Sequence, residues 1–238
     1  MTGLPLMPER PIIFNGEMVR AILDGRKTQT RRVMKDKPFC PNAEMRRVDD
    51  KWLVVPQYAN SHDGCPPGNS VYRTCPYGTP GDRLWVRETW KVQPTPGCTW
   101  GDSMMGRKLS VFYKDGTRRD FLGESINGPG IHIDVAALDY DPMKYGVWRP
   151  SIHMRKEYAR IWLEVTDVRV ERVQDISEGD AKAEGVDGVS LADIPRQAAW
   201  SSRQDFSRLW DSINAKRGYG WDVNPWVWVV GFKVADHA

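Results

Sequence analysis

The sequence predicts an α+β fold: a small mixed β-barrel with flanking helices and a long irregular insertion. Three observations predict it. Strand-like apolar runs recur along the chain, helical patterns are few and short, and a strand-like run lies towards each end, at 11–14 and 226–234. No internal repeat competes with this reading.

In chain order, 11–14 (Pro-Ile-Ile-Phe) is an apolar run of one buried strand's length. Asn15 is a helix cap, and Met18, Val19, Ile22 and Leu23 fall at helical spacing behind it. Gly25 sits where a left-handed residue ends a helix. A strand follows, on which Thr28, Thr30 and Arg32 share one face and Gln29 and Arg31 the other. Prolines at 38, 41, 56, 66, 67, 76 and 80 make 35–80 irregular, with one strand expected at 52–55. Pro80-Gly81-Asp82 is a turn into an alternating strand at 83–88. Between 91 and 150 the composition is that of an insertion. It carries a strand at 110–114, returned by an Asp115-Gly116 turn into 118–121, then a loop at 123–130 and a short helix at 135–138. A long strand is expected over 160–173, bent near Thr166-Asp167. A short helix then carries Ala181, Ala183 and Glu184 and stops at Gly185. A longer helix starts at 202–205, places Phe206, Leu209, Trp210 and Ile213 on one face, and stops at Gly218. The run 226–234 reads as a buried closing strand.

Hydrophobic residues at 40% supply a core, and a net charge of +3 is too small to imply a polyanionic partner by itself. Basic residues cluster locally instead, at 26–32, 46–47, 118–119 and 149–160. The eleven tryptophans suit cores, half-wet rims and base-stacking surfaces alike. No run approaches the ~18 apolar residues of a membrane span, and 1–11 has no apolar signal region. A cytoplasmic location, within a bacterial host if the chain is phage-encoded, is therefore expected.

One run concentrates chemistry. Gly25-Arg26-Lys27-Thr28-Gln29-Thr30-Arg31-Arg32 holds four cations in eight residues. Unpaired buried charges are very costly, so the run is expected to face water, an anion or a substrate. Two readings stand: an exposed basic strand, or a functional strand entered through a glycine turn.

This run resembles the signature of the ASCH family, a branch of the PUA-like barrels, Gly-x-Lys-x-x-Glu-x-Arg. Gly25, Lys27 and Arg32 match, and Thr30 replaces the glutamate. That replacement is similar to the small bacterial N4-acetylcytidine amidohydrolases. Pro80 to Arg87, Gln174 to Gly185 and Asn224 to Val234 resemble further family blocks in the same order. Pro76-Tyr77-Gly78, Gly81 to Glu88 and Trp148 to Met154 resemble the larger ASCH proteins of phages and prophages. The resemblance implies one PUA-like domain over 1–238, with barrel core at about 11–34, 78–90 and 158–234 and insertions at about 35–77 and 91–157.

The resemblance also implies roles: Lys27 as proton acceptor, Thr30 as nucleophile and Glu184 as proton donor. A threonine hydroxyl needs a base, a lysine base needs a depressed pKa, and a carboxylic acid donor needs a raised one. Arg26, Arg31 and Arg32 supply nearby cations, and Ala181, Ala183 and Val186 flank Glu184. On an ideal strand Lys27 and Thr30 point to opposite faces, so the lysine must reach in from the turn or a bulge must realign it. Arg26, Arg32, Trp85, Arg87 and His153 are the candidate substrate-binding residues. The alternatives are salt bridges from Arg32 and Arg87 to Glu88 or Asp82, and core or rim packing for Trp85 and Trp148.

Cys40, His62, Cys65 and Cys75, with Cys98 as an alternative, have the residue types of a structural zinc site. No Cys-x-x-Cys pair supports it, and idle thiols are the alternative. No cofactor is needed for the chemistry itself.

The function expected first is an amidohydrolase acting on an acylated or otherwise N-modified pyrimidine nucleoside or nucleotide. The second is an RNA- or modified-DNA-binding module without catalysis, and the third a nuclease. Thr30 favours the first; the long, basic, tryptophan-bearing insertion favours the second.

Overall fold

The structure, a computed structural model, describes residues 8–35, 44–55, 71–94, 108–122, 146–186 and 201–235. Eleven strands and three α-helices are found among them. The α+β class and the predominance of sheet agree with the sequence.

The strands are β1 (Glu9–Ile13), β2 (Gln29–Val33), β3 (Glu44–Val48), β4 (Lys51–Val55), β5 (Val71–Arg73), β6 (Arg83–Arg87), β7 (Trp90–Pro94), β8 (Lys108–Tyr113), β9 (Arg118–Leu122), β10 (Trp162–Arg172) and β11 (Trp226–Ala235). The helices are α1 (Gly16–Leu23), α2 (Glu178–Ala183) and α3 (Ser202–Asn214). They form a five-stranded sheet, β1-β6-β10-β11-β2, and two three-stranded sheets, β3-β4-β5 and β7-β8-β9. Among the described residues the large sheet ends at β1 and β2 and is open. The barrel expected from the sequence is not closed by these strands.

The chain divides into two compact units. The first takes Met1–Arg10, Ala21–Leu84 and Leu163–Val234; the second takes Pro11–Arg20, Trp85–Trp162 and Ala235–Ala238. Residues of β1, α1 and β6 fall on both sides of that division.

In the first unit β11 runs antiparallel to β2, with Val229 opposite Arg31 and Val230 opposite Thr30. Alternation puts Val227 and Val229 on one face of β11, and there they pack with Phe206 and Trp210 of α3, Ala181 of α2, and Val173, Ile176 and Val186. Val33 of β2 joins the same cluster. Ser201 caps α3 and receives the Gln204 backbone N–H, while the Gln204 side chain accepts from Ser201 N–H. The cap therefore lies one residue before the expected start. Ser177 caps α2 in the same way through Asp180 N–H. Gly25 has the left-handed backbone expected of it, φ 71°. The β3-β4-β5 sheet corrects the reading of 35–80 as one strand in irregular chain.

In the second unit β7, β8 and β9 form an antiparallel meander, with Trp90 opposite Tyr113 and Lys91 opposite Phe112. The expected hairpin at Asp115-Gly116 is β8-β9; β7 was not expected. Trp90, Val111, Tyr113, Met154 and Tyr158 form this unit's core. The Tyr113 hydroxyl donates to the Tyr158 carbonyl at 2.8 Å, which satisfies the one polar atom the ring buries. Arg160 binds Glu88 through two hydrogen bonds of 2.8 Å and Asp115 at 2.8 Å. The loop expected at 123–130 and the helix expected at 135–138 lie outside the described residues.

Candidate active site

Two of the four cations in the basic run do not face water. Lys27 is 2% exposed and Arg31 5% exposed, and both are paired. This corrects the expectation of an exposed basic strand, for a physical reason: carboxylates far along the chain are brought to the same place.

The geometry starts from the turn after α1. Arg26 and Lys27 N–H groups both donate to Ala21 O, at 2.9 Å, which closes the turn and sets where Lys27 leaves it. The end of α2 then docks on the start of β2. Lys27 and Glu184 form an isolated β-bridge, and Thr28 N–H donates to Ala183 O at 2.8 Å. Gly185, at φ 85°, permits this approach: a Cβ there would lie 3.0 Å from the Ala21 Cβ and 3.2 Å from the Lys27 Cβ.

Within this frame Lys27 Nζ donates to Glu184 Oε2 at 2.7 Å and to Glu184 O at 2.9 Å. Arg31 meets Glu171 at 2.9 Å, Asp180 at 3.3 Å and Glu184 at 3.4 Å. Arg169 bonds Asp180 at 2.8 Å and also Glu171. The Gln29 amide donates to Asp180 O at 2.9 Å. Three cations (Lys27, Arg31 and Arg169) thus face three carboxylates (Glu171, Asp180 and Glu184), so the cluster is close to neutral, although the buried Arg31 Nε has no hydrogen-bond partner among the described residues. The Arg31 guanidinium also lies 5.9 Å from the Phe206 ring, between β2 and α3.

Burial pulls the Lys27 ammonium below its usual pKa; Glu184 opposes this, and Arg32 and Arg31 add to it. Burial also lowers Arg32, against the stabilising fields of Tyr77 and Glu184, and the guanidinium lies 6.0 Å from the Tyr77 ring. Asp180 sits below the usual carboxylate value: burial works to raise it, but Arg31, the Ser177 hydroxyl, Arg169 and Gln29 outweigh that.

Of the three expected catalytic residues, Lys27 and Glu184 come together. Thr30 is buried, 3% exposed, in the middle of β2. Alternation puts it with Arg32 on the face opposite Gln29 and Arg31. Among the substrate-binding candidates, Arg26 is paired with Asp24 at 2.9 Å. Trp85 is buried in the second unit beside Ala159 and Trp162, with the Arg87 guanidinium 4.7 Å from its ring. His153 is exposed in a 3-10 turn of that unit. The acids offered as alternative partners go elsewhere: Glu88 binds Arg160, and Asp82 meets Arg10 at 3.8 Å.

Cys75 is a buried thiol, pushed up to about 11 chiefly by burial. Cys40, His62, Cys65 and Cys98 lie outside the described residues. Among the described residues no group of three or more His, Cys, Asp or Glu side chains is placed to hold a metal. No helix among them is long and apolar enough to cross a membrane.

Sequence reasoning placed Arg31 among the nearby cations but missed Asp180, Glu171, Arg169 and Gln29 as parts of the site. One signal was available: Asp180 and Glu184 stand four apart at the end of a short helix, on one face.

No family model and no curated protein matches the chain. Among solved structures it is similar to the crystal structure of protein EF3133 from Enterococcus faecalis V583, of the family DUF984. The two are 10% identical, the match covers 98% of this chain and 86% of that one, and the TM-score is 0.36. A likeness at that level carries no argument about activity.

Proposed function

We propose that the protein is a hydrolase that removes an acyl group from the exocyclic nitrogen of a modified pyrimidine nucleoside or nucleotide. The observation that carries this reading is the buried 2.7 Å contact between Lys27 Nζ and Glu184 Oε2. The likeness of 25–32 to the ASCH signature, with Thr30 in place of glutamate, supports it.

A buried lysine–carboxylate pair has two forms that differ only in the position of one proton: ammonium with carboxylate, or amine with carboxylic acid. The pair is neutral in both, and burial lowers the Lys27 pKa, which moves the lysine towards its amine form. Amine with carboxylic acid is the form the reaction requires, a base and an acid ready at once.

In the proposed reaction the Thr30 hydroxyl passes its proton to the Lys27 amine while Oγ1 bonds the acyl carbon. Glu184 gives its proton to the pyrimidine nitrogen as the C–N bond breaks, leaving an ester on Thr30 and a free amine. Water then attacks the ester and passes one proton to the Glu184 carboxylate. The Lys27 ammonium returns its proton to Thr30 as the ester bond breaks. The acyl group leaves as a carboxylic acid, and all three side chains regain their starting forms. Lys27 Nζ, held by Glu184 at rest, must reach the Thr30 hydroxyl when substrate is bound. Arg32, beside Tyr77, is the cation proposed to hold the developing oxyanion.

A second reading, a base-binding module without catalysis, is favoured by the completeness of the ion network: Lys27, Arg31, Asp180 and Glu184 are already paired, as in a purely structural cluster. Incubation with N4-acetylcytidine and its deoxy and nucleotide analogues separates the two. Hydrolysis predicts release of free cytidine that Thr30→Val abolishes. Binding without release supports the second reading and overturns the first.

A further inference from the structure

We infer that the outer face of the β7-β8-β9 sheet binds single-stranded nucleic acid, with aromatic rings stacking bases and lysines meeting the phosphates. This goes beyond the proposed hydrolysis and does not depend on it.

The sheet register separates two faces. Trp90 and Val92 of β7 stand opposite Tyr113 and Val111 of β8, and these side chains fill the core. The intervening residues point the other way. Lys91 stands opposite Phe112, and Phe112 opposite Arg118, so a cation, a ring and a cation lie in one row across three strands. Arg118 is exposed. Lys91 Nζ lies 5.6 Å from the Phe112 ring centroid, which confirms the shared face.

Trp148 extends this row. Its ring has Lys91 Nζ at 4.9 Å and Lys114 Nζ at 4.5 Å. Trp148 remains 37% exposed, and its neighbour Val147 55% exposed. An indole held at the surface gains little from burial, and a base that stacks on it would displace one of the two ammonium groups from the ring towards the phosphates. The two ammonium groups are held by rings. Among the described residues neither meets a carboxylate within ion-pair distance. Glu88 and Asp115, acids of the same unit, are both bonded to Arg160.

Cations and flat rings alternating at separations of about 5 Å suit a ligand in which charge and π-faces alternate, which is an unpaired nucleic-acid strand. A duplex hides the base faces. An acidic peptide offers the charge without a regular series of rings.

The test uses the full chain and fluorescein-labelled oligouridylate and oligodeoxythymidylate of about fifteen nucleotides, followed by fluorescence anisotropy over a range of salt. Wild type binds at low salt, and Trp148→Ala weakens binding by roughly 5–100-fold. Trp148→Phe restores most of the affinity. Lys91→Gln with Lys114→Gln lowers the slope of log K against log salt by about 1.4, the expectation for two lost phosphate contacts. The inference is overturned if wild type binds neither oligomer, if a duplex of the same length binds as tightly, or if a folded Trp148→Ala variant binds unchanged. Should Trp148→Ala fail to fold, an unchanged salt slope in the double lysine variant overturns it instead.

Discussion

Lys27 and Glu184 are 157 positions apart in the chain, yet Nζ and Oε2 lie 2.7 Å apart with both side chains almost fully buried. The contact joins the entry of β2 to the end of α2, so the proposed chemistry and the local fold rest on the same pair.

Removing one partner leaves the other charge buried and unmatched. Lys27→Met and Glu184→Gln are each expected to cost about 3–5 kcal/mol of stability. The double variant is expected to cost less than the sum, since it leaves no lone ammonium or carboxylate. Urea unfolding midpoints measure this; additive losses would show that the pair is not coupled.

Gly185→Ala is expected to destabilise by about 1–2 kcal/mol through its left-handed backbone alone. Contact with Ala21 and Lys27 adds to that, because the new Cβ would lie 3.0 and 3.2 Å from theirs. Thermal unfolding checks the loss, and a variant as stable as wild type would contradict the close docking of α2 on β2.

The acid limb of stability carries Asp180. Its folded pKa lies below the unfolded value, so the folded form binds the proton less tightly. It contributes stability that is fully present above about pH 4 and is lost as pH falls through the lower folded value. Asp180→Asn is therefore expected to be less stable than wild type at neutral pH, with a gap that narrows below about pH 4. A gap of constant size, measured by denaturant titration at several pH values, would contradict the ion cluster.

Local patterns in the sequence carried much of the fold. Asn15 and the apolar spacing behind it specified α1, Gly25 its stop, Asp115-Gly116 the β8-β9 turn, and Phe206 and Trp210 the buried face of α3. What was illegible depended on partners elsewhere in the chain. β3 (EMRRV) is polar, β5 has three residues and β7 ends in proline, so each is a strand through its neighbours rather than its own pattern. The site was half legible for the same reason. The cations of 26–32 are local and visible, but Glu171, Asp180 and Glu184 reach them only through the β2-β11 pairing and the docking of α2. The sequence could therefore mark these cations as important without showing that they are buried and paired. The opposed faces of Thr30 and Arg31, by contrast, followed from strand alternation alone.

The most direct test of the central claim is a double-mutant cycle on kcat/KM for N4-acetylcytidine, using wild type, Lys27→Ala, Glu184→Ala and the double variant. If the two residues handle one proton as a unit, either single change is expected to remove nearly as much activity as both together, by roughly 100-fold or more. Independent, multiplying losses, or no turnover by wild type, would contradict it.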